Sequence, residues 1–387
     1  MSERASESVS TAPPLGGLAR DEWDALARDH FYSSSGWLSL CAASSGPHGR
    51  GVTVQAAGGE RAAIPVAVVD RPLTGNYDWN APLADLEATR LPATGLLVGP
   101  TLGYHTRVLP AGASPAATQA LLAEVRRLAA EAGPGPERAC VALYLPTADA
   151  DALVRAGADA VPALLEPDAW FAVPPGGWDP WLASLRQTQR HRVLRDVRKF
   201  EALGYRTRRE PLAACKDRLV PLAVELAVKR GYNADPRRFD KEYQDYVDAT
   251  GDAAQVCYCE TADGTLMSFC IYYVWGEVIY LRWSASRYSA LPRDGAEYFN
   301  VGYYSQVKLA GDVGARWLHA GKRALSAKVL RGGQLRPLWM LDLSPGSVLA
   351  GQDGLVRQRN ARLLAELRAD SVTAKAIADP AEWEVFC

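Results

Sequence analysis

Several groups of residues in this chain have the types and spacing to do chemistry. Between Arg186 and Arg209, nine basic side chains (Arg186, Arg190, Arg192, Arg195, Arg198, Lys199, Arg206, Arg208 and Arg209) meet only two acids, Asp196 and Glu201. The whole chain carries a net charge of −1, so this cluster runs against the average. Such a stripe either tracks the phosphates of an RNA or is a solvated helix face. A second group is Tyr280, Arg282 and Ser284, which alternate along a strand-like run and so would share one face of it. An unpaired arginine is costly in a core, so that face either lines a polar cleft, with Trp283 beside it, or is exposed. A third group is the imidazoles. His105 follows Gly103 in an extended segment and His319 precedes Gly321 at a strand end. Either could be a general base, and either could be a satisfied structural histidine. The sequence lacks a Walker loop, a Gly-x-Ser-x-Gly elbow and metal-ligand spacing, so nucleotide hydrolysis, serine hydrolysis and a metal centre have no support. Cys257 and Cys259 share a strand face without a second ligand pair. The seven scattered cysteines read as buried thiols of a reduced, cytoplasmic protein.

These residues need elements to position them. The chain has 387 residues, enough for two domains. Met1 to Gly17 is rich in Ser, Ala and Pro and reads as a disordered lead-in. Strands are expected at Val52–Ala56, Ala62–Val69, Gly95–Val98, Tyr104–Leu109 and Val141–Leu145. A helix begins after Ser114-Pro115 and stops at Gly133. A linker rich in Pro and Gly, Pro167 to Gly177, divides the halves. The basic stretch Arg186–Arg209 follows as a helix closed near Gly204, and then come helices at Lys216–Arg230 and Phe239–Ala249. A hairpin turns at Asp263-Gly264, between Val256–Glu260 and Met267–Val274. Strand Val278–Ser286, a helix from Gly295 to Gly311, strands Ala315–His319 and Pro337–Leu343, and a C-terminal helix Leu355–Leu367 complete the order. Each half runs strands, helix, strand, helix. The expected class is α/β (α+β): an N-terminal domain at 18–170, a C-terminal domain at 178–345, and a tail at 346–387 packing back on the core. The apolar runs are short and broken, so no membrane span is expected.

The second half, read in order, resembles the Fem-type branch of the GNAT acyltransferase superfamily. The residues that carry the resemblance are the hairpin, then Tyr280-Leu281-Arg282-Trp283-Ser284-Ala285-Ser286, then a helix, Trp317-Leu318-His319-Ala320-Gly321 and Lys328-Val329-Leu330-Arg331-Gly332-Gly333. The basic helix before them and the early segment His30-Phe31-Tyr32-Ser33-Ser34-Ser35-Gly36-Trp37-Leu38 are also similar to that family. The resemblance implies two tandem GNAT-like domains, each a mixed sheet flanked by helices, with a cleft for transfer of an aminoacyl or acyl group to an amine. Fem-type enzymes take the group from aminoacyl-tRNA and build peptidoglycan cross-bridges, and relatives make amides in small natural products.

Aminolysis of an activated carbonyl needs a neutral amine, alignment of the reactants and a stabilised oxyanion. Lys328 sits where the Fem-type pattern places its functional lysine, just ahead of Arg331-Gly332; without that role it is a surface lysine before a turn. Arg282 and His105 join it as candidate catalytic residues. Tyr280, Trp283, Ser284, Tyr298, Arg331, Tyr104 and Trp79 are the expected substrate contacts, with Tyr77, Asp78, Trp79 and Tyr104 on the acceptor side. The tRNA acceptor arm would lie on Arg186, Arg190, Arg192, Arg195, Arg198 and Lys199. Acetyl-CoA users place a Gly-rich loop before the long helix of the second half, where backbone N–H groups hold a pyrophosphate. Here that stretch, Leu291-Pro292-Arg293-Asp294-Gly295-Ala296, has one glycine and an acid, which favours a donor other than CoA. The expectation is an amide-forming transferase with a charged-tRNA donor and neither cofactor nor metal. Two alternatives remain: an acyl-CoA-dependent transferase and a non-catalytic RNA-binding protein on the same fold.

Overall fold

A computed structural model describes residues 15–28, 30–43, 48–55, 59–86, 90–131, 138–292 and 295–387. Most of the expected lead-in (residues 1–14), Ala56, the helix stop at Gly133, and Arg293 and Asp294 of the expected phosphate loop lie outside the described residues.

The strands are β1 (His48–Gln55), β2 (Arg61–Val69), β3 (Gly95–Val98), β4 (Ala139–Leu145), β5 (Ala163–Ala172), β6 (Arg206–Pro211), β7 (Gln255–Glu260), β8 (Leu266–Trp275), β9 (Val278–Ser286), β10 (Trp317–Gly321) and β11 (Gln334–Asp342). They form one sheet in the order β1-β2-β3-β4-β11-β5-β10-β9-β8-β7-β6. All neighbours are antiparallel except two pairs, β3 with β4 and β10 with β9. Each half thus contributes an antiparallel run that ends in a parallel pair, so the mixed sheet consists of two GNAT-like halves. The last strands change places: β11 inserts between β4 and β5, and β5 pairs with β10. The halves are consecutive in the chain but continuous in the sheet.

The helices cover both faces. They are α1 (Arg20–Leu26), α2 (Ser35–Ala43), α3 (Pro115–Glu131), α4 (Thr147–Arg155), α5 (Trp178–Ser184), α6 (Gln187–Glu201), α7 (Leu212–Arg230), α8 (Pro236–Thr250), α9 (Glu297–Phe299), α10 (Ser305–Val313), α11 (Leu325–Val329), α12 (Asp353–Ala369) and α13 (Pro380–Glu384). A π-helical stretch, Asn300–Tyr304, joins α9 to α10. The starts follow the local chemistry. Ser34 Oγ accepts from Trp37 N at 3.2 Å, Ser114 Oγ from Ala117 N at 3.2 Å, and the Asp235 carboxylate from Arg237 N at 3.0 Å. α12 returns to the first half: Asn360 bonds the backbone of Leu164, Pro162 and Phe386.

Three expectations change. Tyr104–Leu109 is not a strand but an extended segment, tied by Thr106 N to Tyr144 O (3.0 Å) and by a bridge between Ala63 and Leu109. Both sides of β4 are already taken, by β3 and β11. The stretch read as a linker, Pro167 to Gly177, is strand as far as Ala172, the second part of β5, where Pro167 sits opposite Pro337 of β11, and only 173–177 connect β5 to α5. The two residues without an N–H thus share one rung, which confines the loss of ladder bonding. Finally, Arg206, Arg208 and Arg209 belong to the edge strand β6 and not to the basic helix.

Candidate active site

The cleft arises from strand register. β10 pairs with β9 only at Trp317–Val278, Leu318–Ile279 and His319–Tyr280; beyond those rungs the parallel strands diverge. Leu281 to Ser284 on one side and Ala320 to Ala324 on the other line the opening, a cavity of about 350 Å³. Opposite β8, Ile271 pairs with Trp283 and Tyr272 with Leu281, so Arg282 is an extra, bulged residue. The bulge breaks the alternation expected of Tyr280, Arg282 and Ser284. Arg282 turns to the α2–α8 side, its guanidinium 5.3 Å from the Trp37 ring centroid and 5.8 Å from that of Tyr246. Ser284 lies on the other face, against Gly302 of the π-helical stretch. Tyr298 and Tyr303 lie on either side of that stretch's first turn, their hydroxyls 2.8 Å apart, and both line the cleft.

Lys328 is buried, not a surface lysine. Its Nζ donates to Ala320 O at 2.6 Å and Gly321 O at 2.8 Å, the last backbone carbonyls of β10, and it lines the cleft. α11 sets it there, and Gly333 makes this possible, since a Cβ at 333 would press on the Lys328 backbone at 3.1 Å. Burial pushes the Lys328 amine down to about 7, while the Asp168 carboxylate pulls it up. Two bonds to carbonyls leave the ammonium one N–H for a ligand.

The sequence reading missed Lys322. Its Nζ donates to the Tyr144 hydroxyl at 3.0 Å, is ion-paired with Glu166, and lies 4.6 Å from the ring centroids of both Tyr104 and Tyr144. Desolvation lowers its pKa, and Glu166 opposes the shift. Tyr144 holds a positive φ of 61° within a strand, an unusual state for a bulky residue. Arg323 and Arg230 also line the cleft. The signal for Lys322-Arg323 was their place directly after the β10 strand end.

Under the cleft floor, both imidazole candidates converge on an acid that the sequence reading did not single out. His105 Nε2 lies 2.9 Å, and His319 Nε2 2.7 Å, from Asp168 Oδ2, while Trp170 Nε1 donates to Oδ1 at 2.8 Å. Burial would raise the Asp168 carboxyl, yet the His105 and His319 contacts hold it well below the usual carboxylate range. Burial pushes His105 down to about 4, against the pull of Asp168. The three side chains each offer a metal-ligand atom within 4.8 Å of the others. Their spacing is that of hydrogen bonds, and the carboxylate is satisfied by N–H donors on both oxygens. His105 stacks on Trp170 at 5.3 Å, is buried and does not line the cleft, whereas the adjacent Tyr104 does.

A second cavity of about 340 Å³ shares Tyr288 and Tyr298 with the first. Arg195, Lys199 and Arg331 line it, as do Asp196 and Glu297. Arg331 is bound to Asp196 at 2.7 Å and lies over Phe299. The buried Glu297 carboxylate folds against Gly295, where an added Cβ would meet it at 2.3 Å, and accepts from Tyr205 at 3.1 Å.

The remaining candidates fall elsewhere. Trp79 is a core residue whose indole donates to Pro92 O at 2.9 Å, and Tyr280 is buried in an aromatic cluster with Phe31, Tyr32 and His319. Arg190 bonds the carbonyls of Leu182, Ala183 and Leu185 at the end of α5, and Arg186 reaches Lys375 O. Arg192 and Arg198 line neither cavity, so the basic stretch is not one stripe.

No family model matches the sequence, and no curated protein matches it either. Solved structures do. FemX is similar with a TM-score of 0.59 at 13% identity, over 85% of this chain and 96% of that one. The C-terminal domain of a putative lysylphosphatidylglycerol synthetase from Agrobacterium fabrum has a TM-score of 0.51 at 12% identity, over 87% and 97%. L-PGS from Bacillus licheniformis has a TM-score of 0.51 at 11% identity, over 85% and 93%. Among the described residues no helix is long and apolar enough to cross a membrane. Over most of its length, this chain therefore carries the fold of the Fem-like aminoacyltransferases.

Proposed function

We propose that the protein is an acyltransferase that forms an amide bond, taking an aminoacyl group from aminoacyl-tRNA and passing it to an amine in natural-product or peptidoglycan-type biosynthesis. The observation that carries this reading is the cleft at the β9/β10 divergence, with the Lys328 ammonium tethered to two carbonyls and aimed into it. The amine nitrogen attacks the ester carbonyl, the C–N bond forms, and the third Lys328 N–H stabilises the oxyanion. The C–O bond to the ribose then breaks, and the leaving hydroxyl takes up the proton that the amine gives up. The two contiguous cavities suit a long donor, with its ester in the first and its nucleotide end against Arg195 and Lys199 in the second. The Glu297 carboxylate supports RNA over CoA, because it occupies the helix start where a pyrophosphate would bind.

Incubating the protein with an amine pool and either charged tRNA or acyl-CoA tests the donor. Amide product with charged tRNA, abolished by RNase, is the expected result. Product only from the thioester would make the enzyme CoA-dependent. RNA affinity with steep salt dependence and no product from either donor would leave a binding protein.

A further inference from the structure

Five cationic side chains line the cleft: Arg230, Arg282, Lys322, Arg323 and Lys328. No carboxylate joins them among the described lining residues, in a chain whose net charge is −1. Lys328 is held by two carbonyls, Lys322 by Glu166, and Arg323 lies 3.5 Å from the Asn76 amide oxygen. Arg282 differs. The bulge swings it out of the ladder, and aromatic faces of Trp37 and Tyr246 lie beneath it. Its Nε is buried without a hydrogen-bond partner. Aromatic faces stabilise a guanidinium but leave its N–H donors open, and the Glu242 carboxylate, which accepts from the Tyr246 hydroxyl, acts on this one through space, so an anion bound directly would stabilise it further. Tyr288 and Tyr298 mark the end of the cleft that leads to the second cavity, whereas Arg282 stands on the wall towards α2 and α8.

We propose that Arg282 is the receptor for an anionic group carried by the acceptor, so that the acceptor is an amine bearing a carboxylate or phosphate and not a plain amine. This rests on the amide-forming reading for which ligand is the acceptor, but its test needs no donor. Arg282 offers the planar fork of donors that carboxylates and phosphates accept in pairs.

The experiment is calorimetric titration of the full-length protein, without donor, with β-alanine, 2-aminoethyl phosphate and 2-aminoethanol. The anionic amines should bind at least about tenfold tighter than 2-aminoethanol, the scale of one charge-assisted hydrogen-bond pair. Arg282→Gln should abolish that preference, and Arg282→Lys should keep part of it, both with melting curves like that of the parent. No binding of either anionic amine, equal binding of all three, or an unchanged preference in Arg282→Gln would overturn the proposal. So would an Arg282→Gln protein that binds the aminophosphate normally but charged tRNA weakly, which would assign the anion to the donor. Anion-selective binding through Arg282 with no amide product from any donor would leave this inference standing and remove the acyl-transfer reading.

Discussion

Lys328 and His105 are both buried ionisable groups, and their burial leads to opposite tests. Lys328 must be protonated to donate to an oxyanion, and burial pushes it down to about 7. Turnover should therefore fall as pH rises through about 7, while deprotonation of the acceptor amine opposes that trend from the acid side. Lys328→Met should lower kcat by about 10²–10³-fold, the usual cost of losing one oxyanion donor. Lys328→Arg should move the alkaline limb upward; a kcat–pH profile with the parent's alkaline limb would remove Lys328 from the step. His105 affects stability. It is pushed down to about 4 in the fold, while an unfolded imidazole titrates near about 6.5. Between those values the unfolded chain binds a proton that the folded one does not, so stability falls as pH drops through that window. The Asp168 contribution, held below the carboxylate range, is present above about 4 and is lost at lower pH. Melting temperatures from pH 8 to 4 should decline less steeply in His105→Gln than in the parent, and identical slopes would count against this account. Asp168 escaped the sequence reading because Pro167 beside it signals a break, and nothing local says that Pro337 will lie opposite.

Helix α6 shows why a run of charge is a poor guide by itself. One element points its basic side chains in several directions, and only Arg195 and Lys199 reach the second cavity. Arg190 instead caps the carbonyls of Leu182 and Ala183 in α5 and of Leu185 just after it. Arg190→Ala should therefore destabilise the fold by about 1–3 kcal/mol while leaving RNA affinity unchanged. Arg195→Glu combined with Lys199→Glu should weaken charged-tRNA binding and flatten its salt dependence. Filter binding across a salt series separates the two, and a normal slope in the double variant would make α6 a solvated face. The hairpin of β7 and β8, the cap at Ser114 and the strand Val278–Ser286 were legible locally, because turn residues, caps and alternation act within a few positions. The bulge at Arg282 was not, since it is defined only against β8.

At the scale of the molecule, exchange of the last strands makes the halves interdependent. Without residues 177–387 the first half lacks β11 between β4 and β5; without residues 1–176 the second lacks β5 beside β10. A chain divided between Gly176 and Gly177 should give two pieces that are unfolded or insoluble when made separately and a soluble complex when made together. Circular dichroism and gel filtration would show it, and a folded, monomeric second half alone would contradict the topology. The same exchange brings His105, Asp168 and His319 from three separate parts of the chain to one point under the cleft.

The sequence alone determined the order and kind of most elements and the tandem α/β class. Those properties follow from periodicity, caps and turns, and from a resemblance spread along the chain. Tertiary structure decided which charges meet. It spent Arg186 and Arg190 on backbone carbonyls, buried Trp79 and Tyr280, gathered His105 and His319 on the buried Asp168, brought Lys322 to the cleft and turned Arg282 into it. Such outcomes depend on strand order, register and a one-residue bulge, which are relations between distant segments and leave no periodic mark on either one.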